Sequence, residues 1–290
     1  MHTRMHCGAV LLVLILLFVT ALASACGGNG DAKEEGLTGT PLERARKILG
    51  AEPTGVAAKV VDRGTMVVAN DAYYPPQSSL DETSRELVGF DVDVAKRVGK
   101  ILGLEVSFKN PELETVPSGL NQRRFDVSIG SMAVTPEHDK VADFTRPYYY
   151  APAQVIVKAD GPQISGVGDL DGARVGVGVA TIYADYLKKS SQAVVKTYRT
   201  EADAFPDLLS GDLDYVLTAR QTGQQAILTG GALEFSGAPL FYEGLGVAVA
   251  EGESDWAKLL DYAVATMHKD GSLSELSRTW YDGLDLTVAD

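Results

Sequence analysis

The amino-acid sequence predicts an α/β protein of two lobes, built on a parallel-rich sheet with helices on both faces. Three observations carry this expectation. From residue 56 onward, short apolar strand segments alternate with amphipathic helical segments. The 290 residues suffice for two domains of ordinary size. Hydrophobic residues make up 45% and charged residues 22%, the balance of a globular chain with a substantial core.

The elements follow in chain order. Residues 26–55 read as a flexible tether holding one short helix. Thr40 is placed to cap it and Pro41 fits its first turn, while Leu42, Ala45, Ile48 and Leu49 share a face and Gly50 ends it. Residues 65–69 (TMVVA) form a buried strand, followed by a loop rich in Tyr and Pro. Asp91 is placed to cap a helix running over Val92, Val94, Ala95, Val98 and Leu102. A strand over 104–109 comes next, then a short helix ending at 120–124 and a strand over 125–130. Strands over 155–157 and 174–179 precede a helix over 182–187. A helix over 202–209, strands over 215–217 and 245–250, and amphipathic helices over 256–268 and 273–280 complete the pattern.

The N-terminus reads as an address. Arg4 supplies a positive start, and residues 10–19 are an unbroken apolar run too short to span a bilayer comfortably. Small residues follow: Ala21, Ala23, Ser24 and Ala25, then Cys26. The stretch permits ordinary cleavage after Ala25. It also resembles a bacterial lipobox, with Leu22 one place further from the cysteine than usual, and Gly27, Gly28, Asn29 and Gly30 would suit a tether after a lipid. The expectation is a signal segment over 1–25 and a lipid on Cys26, holding the protein outside the cytoplasm.

Several function classes drop out. A net charge of −13 and a pI near 4.8 argue against a nucleic-acid groove. Cys7 and Cys26 are the only cysteines, so after cleavage no internal disulfide or cysteine-based metal site is possible. The histidines at 2, 6, 138 and 268 lack metal-ligand spacing, and the glycines at 172, 176 and 178 form no dinucleotide fingerprint. No elbow motif supports a Ser/His/Asp arrangement. No cofactor, metal or catalytic residue is expected.

One segment is more specific. Residues 89–102 read GFDVDVAKRVGKIL, with Gly89, Phe90, Asp91 and Asp93 ahead of aliphatics at 92, 94, 98 and 102. Upstream stand Asn70, Asp71, Tyr73, Tyr74 and Pro75. Downstream come Phe125-Asp126-Val127, Thr135-Pro136-Glu137, Asp143-Phe144-Thr145 and Pro147-Tyr148-Tyr149. Later stand Asp169-Leu170-Asp171-Gly172, Val175-Gly176-Val177 with Thr181, and Asp270-Gly271-Ser272-Leu273 with Trp280. In order and spacing these resemble the family-3 bacterial extracellular solute-binding proteins, over nearly the whole chain after the tether.

The resemblance implies a two-lobed periplasmic-binding-protein fold of type II, with mixed sheets flanked by helices and a two-crossing hinge that closes on ligand. Lobe one would take residues 56–148 plus 244–290, and lobe two residues 149–243, with crossings near 148–152 and 239–243. It implies a small polar ligand, an ABC permease as membrane partner, and a monomer rather than an enzyme. A sensing receptor without transport and a periplasmic dehydratase-like enzyme are the alternatives. For the latter, His138 and Asp71 are the available acid–base groups.

Carried over position by position, Tyr74 matches the aromatic platform under the ligand, and Asp71 an acid near its amino group. Each has a plainer reading, Tyr74 as a loop anchor and Asp71 as a turn cap. Leu113 matches the opposite wall, while Gly130, Ser131 and Ala133 match polar donors of the first lobe. Thr181 and the Ile182 amide match an anion contact at a helix start. Two positions depart from the family. The arginine that grips a carboxylate is His138, and the second-lobe aspartate that holds an ammonium is Ala219. Imidazole lacks the fork and the permanent charge of guanidinium. Either the ligand class has shifted, which the paired loss favours, or neighbours such as Arg146 or Arg220 have moved in.

Overall fold

The computed structural model describes residues 37–288 except 180 and 231. The expected signal segment and Cys26 lie outside the described residues. The described chain opens on α1 (Pro41–Leu49) and α2 (Gly55–Arg63). α1 starts at the expected cap. The Glu43 amide donates to the Thr40 hydroxyl at 3.3 Å, and the Thr40 amide donates to the Glu43 carboxylate at 2.7 Å.

The tether expected over 26–55 needs correction at this helix. Ala45 is buried, Leu42, Ile48 and Leu49 pack on the core, and Arg44 donates to the carbonyls of Lys100 and Ile101 at 2.8 and 2.9 Å. The amphipathic face that sequence periodicity revealed is covered by the folded body. Thr40→Ala should therefore cost about 1 kcal/mol of global stability, visible as a melting point lower by about 2–4 °C. An unchanged melting point would mean α1 frays independently.

β1 (Thr65–Ala69) leads into a three-stranded antiparallel ribbon of β2 (Tyr73–Tyr74), β3 (Ser78–Leu80) and β4 (Leu87–Val88), where only a loop was expected. α3 (Phe90–Leu102) is capped by Gly89 and not by Asp91. Gly89 has φ +140°, and a Cβ there would lie 2.2 Å from the Gln77 carbonyl, so glycine is required. Asp91 instead sits in the first turn, 1% exposed, turned into the protein.

β5 (Glu105–Lys109), α4 (Val116–Asn121), β6 (Val127–Ala133) and β7 (Ala142–Lys158) follow. Then come β8 (Arg174–Gly178), α5 (Ile182–Ser190), β9 (Val194–Tyr198), α6 (Phe205–Ser210), β10 (Tyr215–Ala219) and α7 (Arg220–Gly230). β11 (Leu233–Ala250), α8 (Ser254–Asp270) and α9 (Ser272–Trp280) close the described chain.

The eight long strands form one mixed sheet in the order β5-β1-β6-β11-β7-β10-β8-β9. Its outer thirds, β5-β1-β6 and β10-β8-β9, are each parallel. Between them β11 and β7 run antiparallel to each other and to their outer neighbours. The expectation of a parallel-rich sheet thus holds for each outer set and fails at the join. β7 and β11 span 17 and 18 residues and belong to both halves, so the chain passes twice between them. Register shifts after Ser236, Leu245 and Gly246 absorb the glycines and proline of β11 as bulges.

Helices cover both sides of the sheet. α8 lays Trp256, Leu259, Leu260, Ala263, Val264 and Met267 into the core beneath α1, α2 and α3. Removing this stripe from water stabilises the packing on that side. Among the described residues no helix is long and apolar enough to cross a membrane, and no cluster of His, Cys, Asp and Glu could hold a metal ion.

Candidate functional site

In an open α/β sheet, ligands bind outside the carboxyl ends of the parallel strands. Both outer strand sets here direct those ends onto one cavity of about 380 Å³, within the range of small-molecule sites. The first set supplies Asp71 and Tyr74 after β1, Gly130 to Ala133 of β6, Leu113 in a 3-10 turn, and His138. The second set supplies Thr181, Ile182 and Tyr183 at the start of α5, and Arg199 to Glu201 after β9. Tyr149, Ala151, Glu243 and Leu245 come from the long central strands.

Nine of the ten residues singled out in the sequence line this cavity, and Ala219 does not. It is 1% exposed at the end of β10, paired with Ala153. Neither arginine considered as a substitute lines the cavity. Arg146 forms a two-pronged pair with Asp261 at 2.7 and 2.9 Å. Arg220 donates to Gln154 and lies 4.3 Å from the Phe235 ring centroid.

Asp71 spends one carboxylate oxygen on a turn, accepting from the Tyr73 amide at 2.9 Å. His138 Nδ1 lies 2.7 Å from the Ala133 carbonyl. A carbonyl only accepts, so Nδ1 carries the proton and Nε2 is the nitrogen left for other partners. The imidazole is thus held by its own loop, where a family arginine would reach out with a fork.

Ser131 has φ +56°, a left-handed conformation that costs a non-glycine residue roughly 1–3 kcal/mol. A buried network holds it there. Its amide donates to the Tyr148 hydroxyl at 3.0 Å, its hydroxyl donates to Asp91 at 2.7 Å, and it accepts from the Tyr149 hydroxyl at 2.7 Å. Tyr148 also donates to Asp91 at 2.7 Å. Burial pushes the Asp91 carboxyl up to about 7, against the lowering pull of these two hydroxyl donors. Tyr148 and Tyr149 pack on Phe90, with ring centroids 5.9 and 5.2 Å away, so both are anchored by the core.

On the second side, the Thr181 hydroxyl donates to the Gly178 carbonyl at 2.9 Å. The first amides of α5 have no intrahelical acceptor, and the residues that carry them line the cavity, where a helix start favours negative charge. Two contacts join the sides across the cleft. Thr222 donates to the Tyr74 hydroxyl at 3.5 Å, and Lys189 lies 3.6 Å from Glu137.

Two acids escaped the sequence reading. Glu201 is 4% exposed, and its Oε1 has no hydrogen-bond partner. Glu243 accepts from the Tyr183 hydroxyl at 2.9 Å. Burial pushes Glu201 up to about 7 and Glu243 up to about 8. A signal for the first was present: Thr200 and Asp203 form a reciprocal cap, which puts Glu201 in the first residues of a short turn. Nothing in the sequence aimed its carboxyl inward. His138 and Asp71 are therefore not the only groups of the cavity able to exchange a proton.

Two parallel strand sets, joined by two long strands and facing one another across a small cavity, define a two-lobed solute-binding protein. Residues 66–283 match the model of the bacterial extracellular solute-binding proteins, family 3, and the chain belongs to this family. It is 34% identical over 236 residues to the L-cystine-binding protein TcyJ of Escherichia coli K12, covering 80% of this chain and 88% of that one. It is 32% identical over 216 residues to the ABC transporter arginine-binding protein 1 of the same strain, covering 72% and 88%. Among solved structures, an ancestral arginine-binding protein bound to arginine superposes with a TM-score of 0.69 at 31% identity, covering 76% of this chain and 99% of that one.

Proposed function

We propose that the protein captures a small amino-acid-type solute in this cavity and delivers it to an ABC permease. The observation that carries the reading is the convergence of Tyr74 and the Thr181 turn, from opposite strand sets, on one cavity. The lining supports the following binding roles. Tyr74 stacks on the ligand and Leu113 closes the wall opposite. Gly130, Ser131 and Ala133 form the first-lobe wall, and His138 offers Nε2. The Thr181 turn, through the Ile182 amide, receives an acceptor group. Lobes of residues 56–148 plus 244–290 and of residues 149–243 close on it. Relatives named for cystine, arginine and glutamine support an amino-acid-type ligand. A lipid on Cys26 would keep a monomer beside its permease, outside the cytoplasm.

A thermal-shift screen against amino acids, amines and carboxylates tests the reading, followed by calorimetry on the hits. One ligand class should bind with one-to-one stoichiometry, and Tyr74→Ala should weaken it at least about tenfold, equivalent to about 1.4 kcal/mol. Binding that Tyr74→Ala leaves intact would place the ligand elsewhere.

An enzymatic reading has one observation in its favour. Glu201 and Glu243 are buried acids poised near neutrality, the condition a general acid needs. A structural relative is described as a precursor of cyclohexadienyl dehydratase. Binding without turnover is our reading. Conversion of a bound hit, followed by NMR over hours, would reverse it.

A further inference from the structure

We propose that the ligand is an organic cation, held by an ammonium or guanidinium group against the carboxyls of Glu201 and Glu243. This rests on the solute-binding reading above and names the ligand's chemical class. The family position for gripping an ammonium is Ala219, buried and outside the cavity. The acid pair supplies negative charge from two other elements instead, the turn after β9 and the crossing strand β11.

The geometry favours a ligand over a purely structural role for these acids. Glu243 has a structural partner in Tyr183. Glu201 Oε1 has none, although the residue is 4% exposed and lines the cavity. A buried polar atom without a partner is costly, and a cation donating to it would recover that cost. Gly178 makes room for the carboxyl, since a Cβ there would lie 2.8 Å from its carbon and from Oε1.

The surroundings point the same way. Asp71, Glu112 and Glu114 add further acids to the lining on the opposite wall, where His138 stands. Arg199 is the one lysine or arginine among the lining residues, and its guanidinium lies 3.7 Å from Asp203, two residues past Glu201. Tyr183, Tyr74 and Tyr149 are the remaining titratable groups of the lining beside the pair, with Tyr73 beyond. A carboxylate on the ligand would meet no arginine fork at position 138. The cation is therefore the group that selects the ligand.

Raised carboxyls add a measurable signature. In the ligand-free cleft near neutral pH, Glu201 and Glu243 hold protons for part of the time. A bound cation favours the ionised carboxylates, so each proton displaced passes to the buffer.

Calorimetry on the full protein at pH 7, in two buffers of different ionisation enthalpy, tests this. The probes are arginine, agmatine and putrescine, with glutamine and glutamate as neutral and anionic counterparts. At least one cation should bind most tightly, with proton release. Glu201→Gln, which keeps shape and removes charge, should weaken that cation about 10- to 100-fold, the range for a hydrogen bond to a charged group. Gly178→Ala, which displaces the Glu201 carboxyl, should weaken it too. Tighter binding of glutamine or glutamate, lost in Tyr74→Ala and kept in Glu201→Gln, overturns the cation assignment and leaves the solute-binding reading standing. Failure of every probe to bind overturns both.

Discussion

Thermal unfolding is expected to move to higher temperature as the pH falls from about 8 to about 5. Asp91 and Glu201 titrate near 7 in the folded protein and Glu243 near 8, against ordinary values of 3.8 and 4.5. Between those limits the folded state keeps protons that the unfolded chain has lost. Stability falls with rising pH wherever the folded state binds more protons. The gain on acidification therefore begins near pH 8 and is complete near the unfolded values, each group contributing at most about 1.4 kcal/mol per pH unit.

Below that window the trend reverses. Asp207, Asp214 and Asp261 are held below the usual carboxylate range by hydrogen bonds from Lys196, Arg174 and Arg146. Protonating them removes those pairs. Calorimetric melts at half-unit pH steps would trace the maximum. Asp91→Asn should flatten the neutral slope, because one of its three sources is gone. A midpoint that instead climbs steadily from pH 5 to 8 would refute the buried-acid account.

Trp256→Ala should be the most damaging single substitution, costing about 3–5 kcal/mol. The indole is fully buried on α8 and its Nε1 donates to the Asp126 carbonyl at 2.9 Å. Truncation leaves a void among α1, α2 and the end of α3 and an acceptor without its donor. For a folded body of this size the melting point should fall by roughly 10 °C. Trp256→Phe, which keeps most of the ring, should cost much less. Neither change touches the cavity, so ligand affinity at low temperature should survive both; a large loss in Trp256→Phe would show coupling between this core and the cleft.

Much of the fold could be read from local chemistry. Thr40, Pro41 and Gly50 mark α1 at both ends because capping is a local hydrogen-bond problem. The stripes of α3 and α8 are equally local, being one face of a helix. Tertiary context decided what was missed. β7 and β11 were recognisable only at 155–157 and 245–250, since Pro147, Gly237, Pro239 and Gly244 punctuate them as if they were loops. Long antiparallel pairing and bulges carry the strands through those breaks. Asp91 was read as a cap because acids open helices, yet its partners, Ser131 and Tyr148, lie 40 and 57 residues away.

The cleft divides the same way. Residues carried by motif, such as Tyr74 and Thr181, were visible by position. Glu201 and Glu243 were not, because an acid in a turn or strand is ordinarily solvated and only the packing around it determines otherwise. Arg146 and Arg220 illustrate the converse, attractive by adjacency and committed elsewhere by geometry.

The doubled passage of β7 and β11 has a mechanical consequence. Two strands laddered to one another form a ribbon that bends and twists readily but resists stretching or sliding. In the closure proposed above, the ribbon around Tyr149, Ala151 and Glu243 would serve as the axle. Side chains on that ribbon would then travel least, and those farthest from it the most.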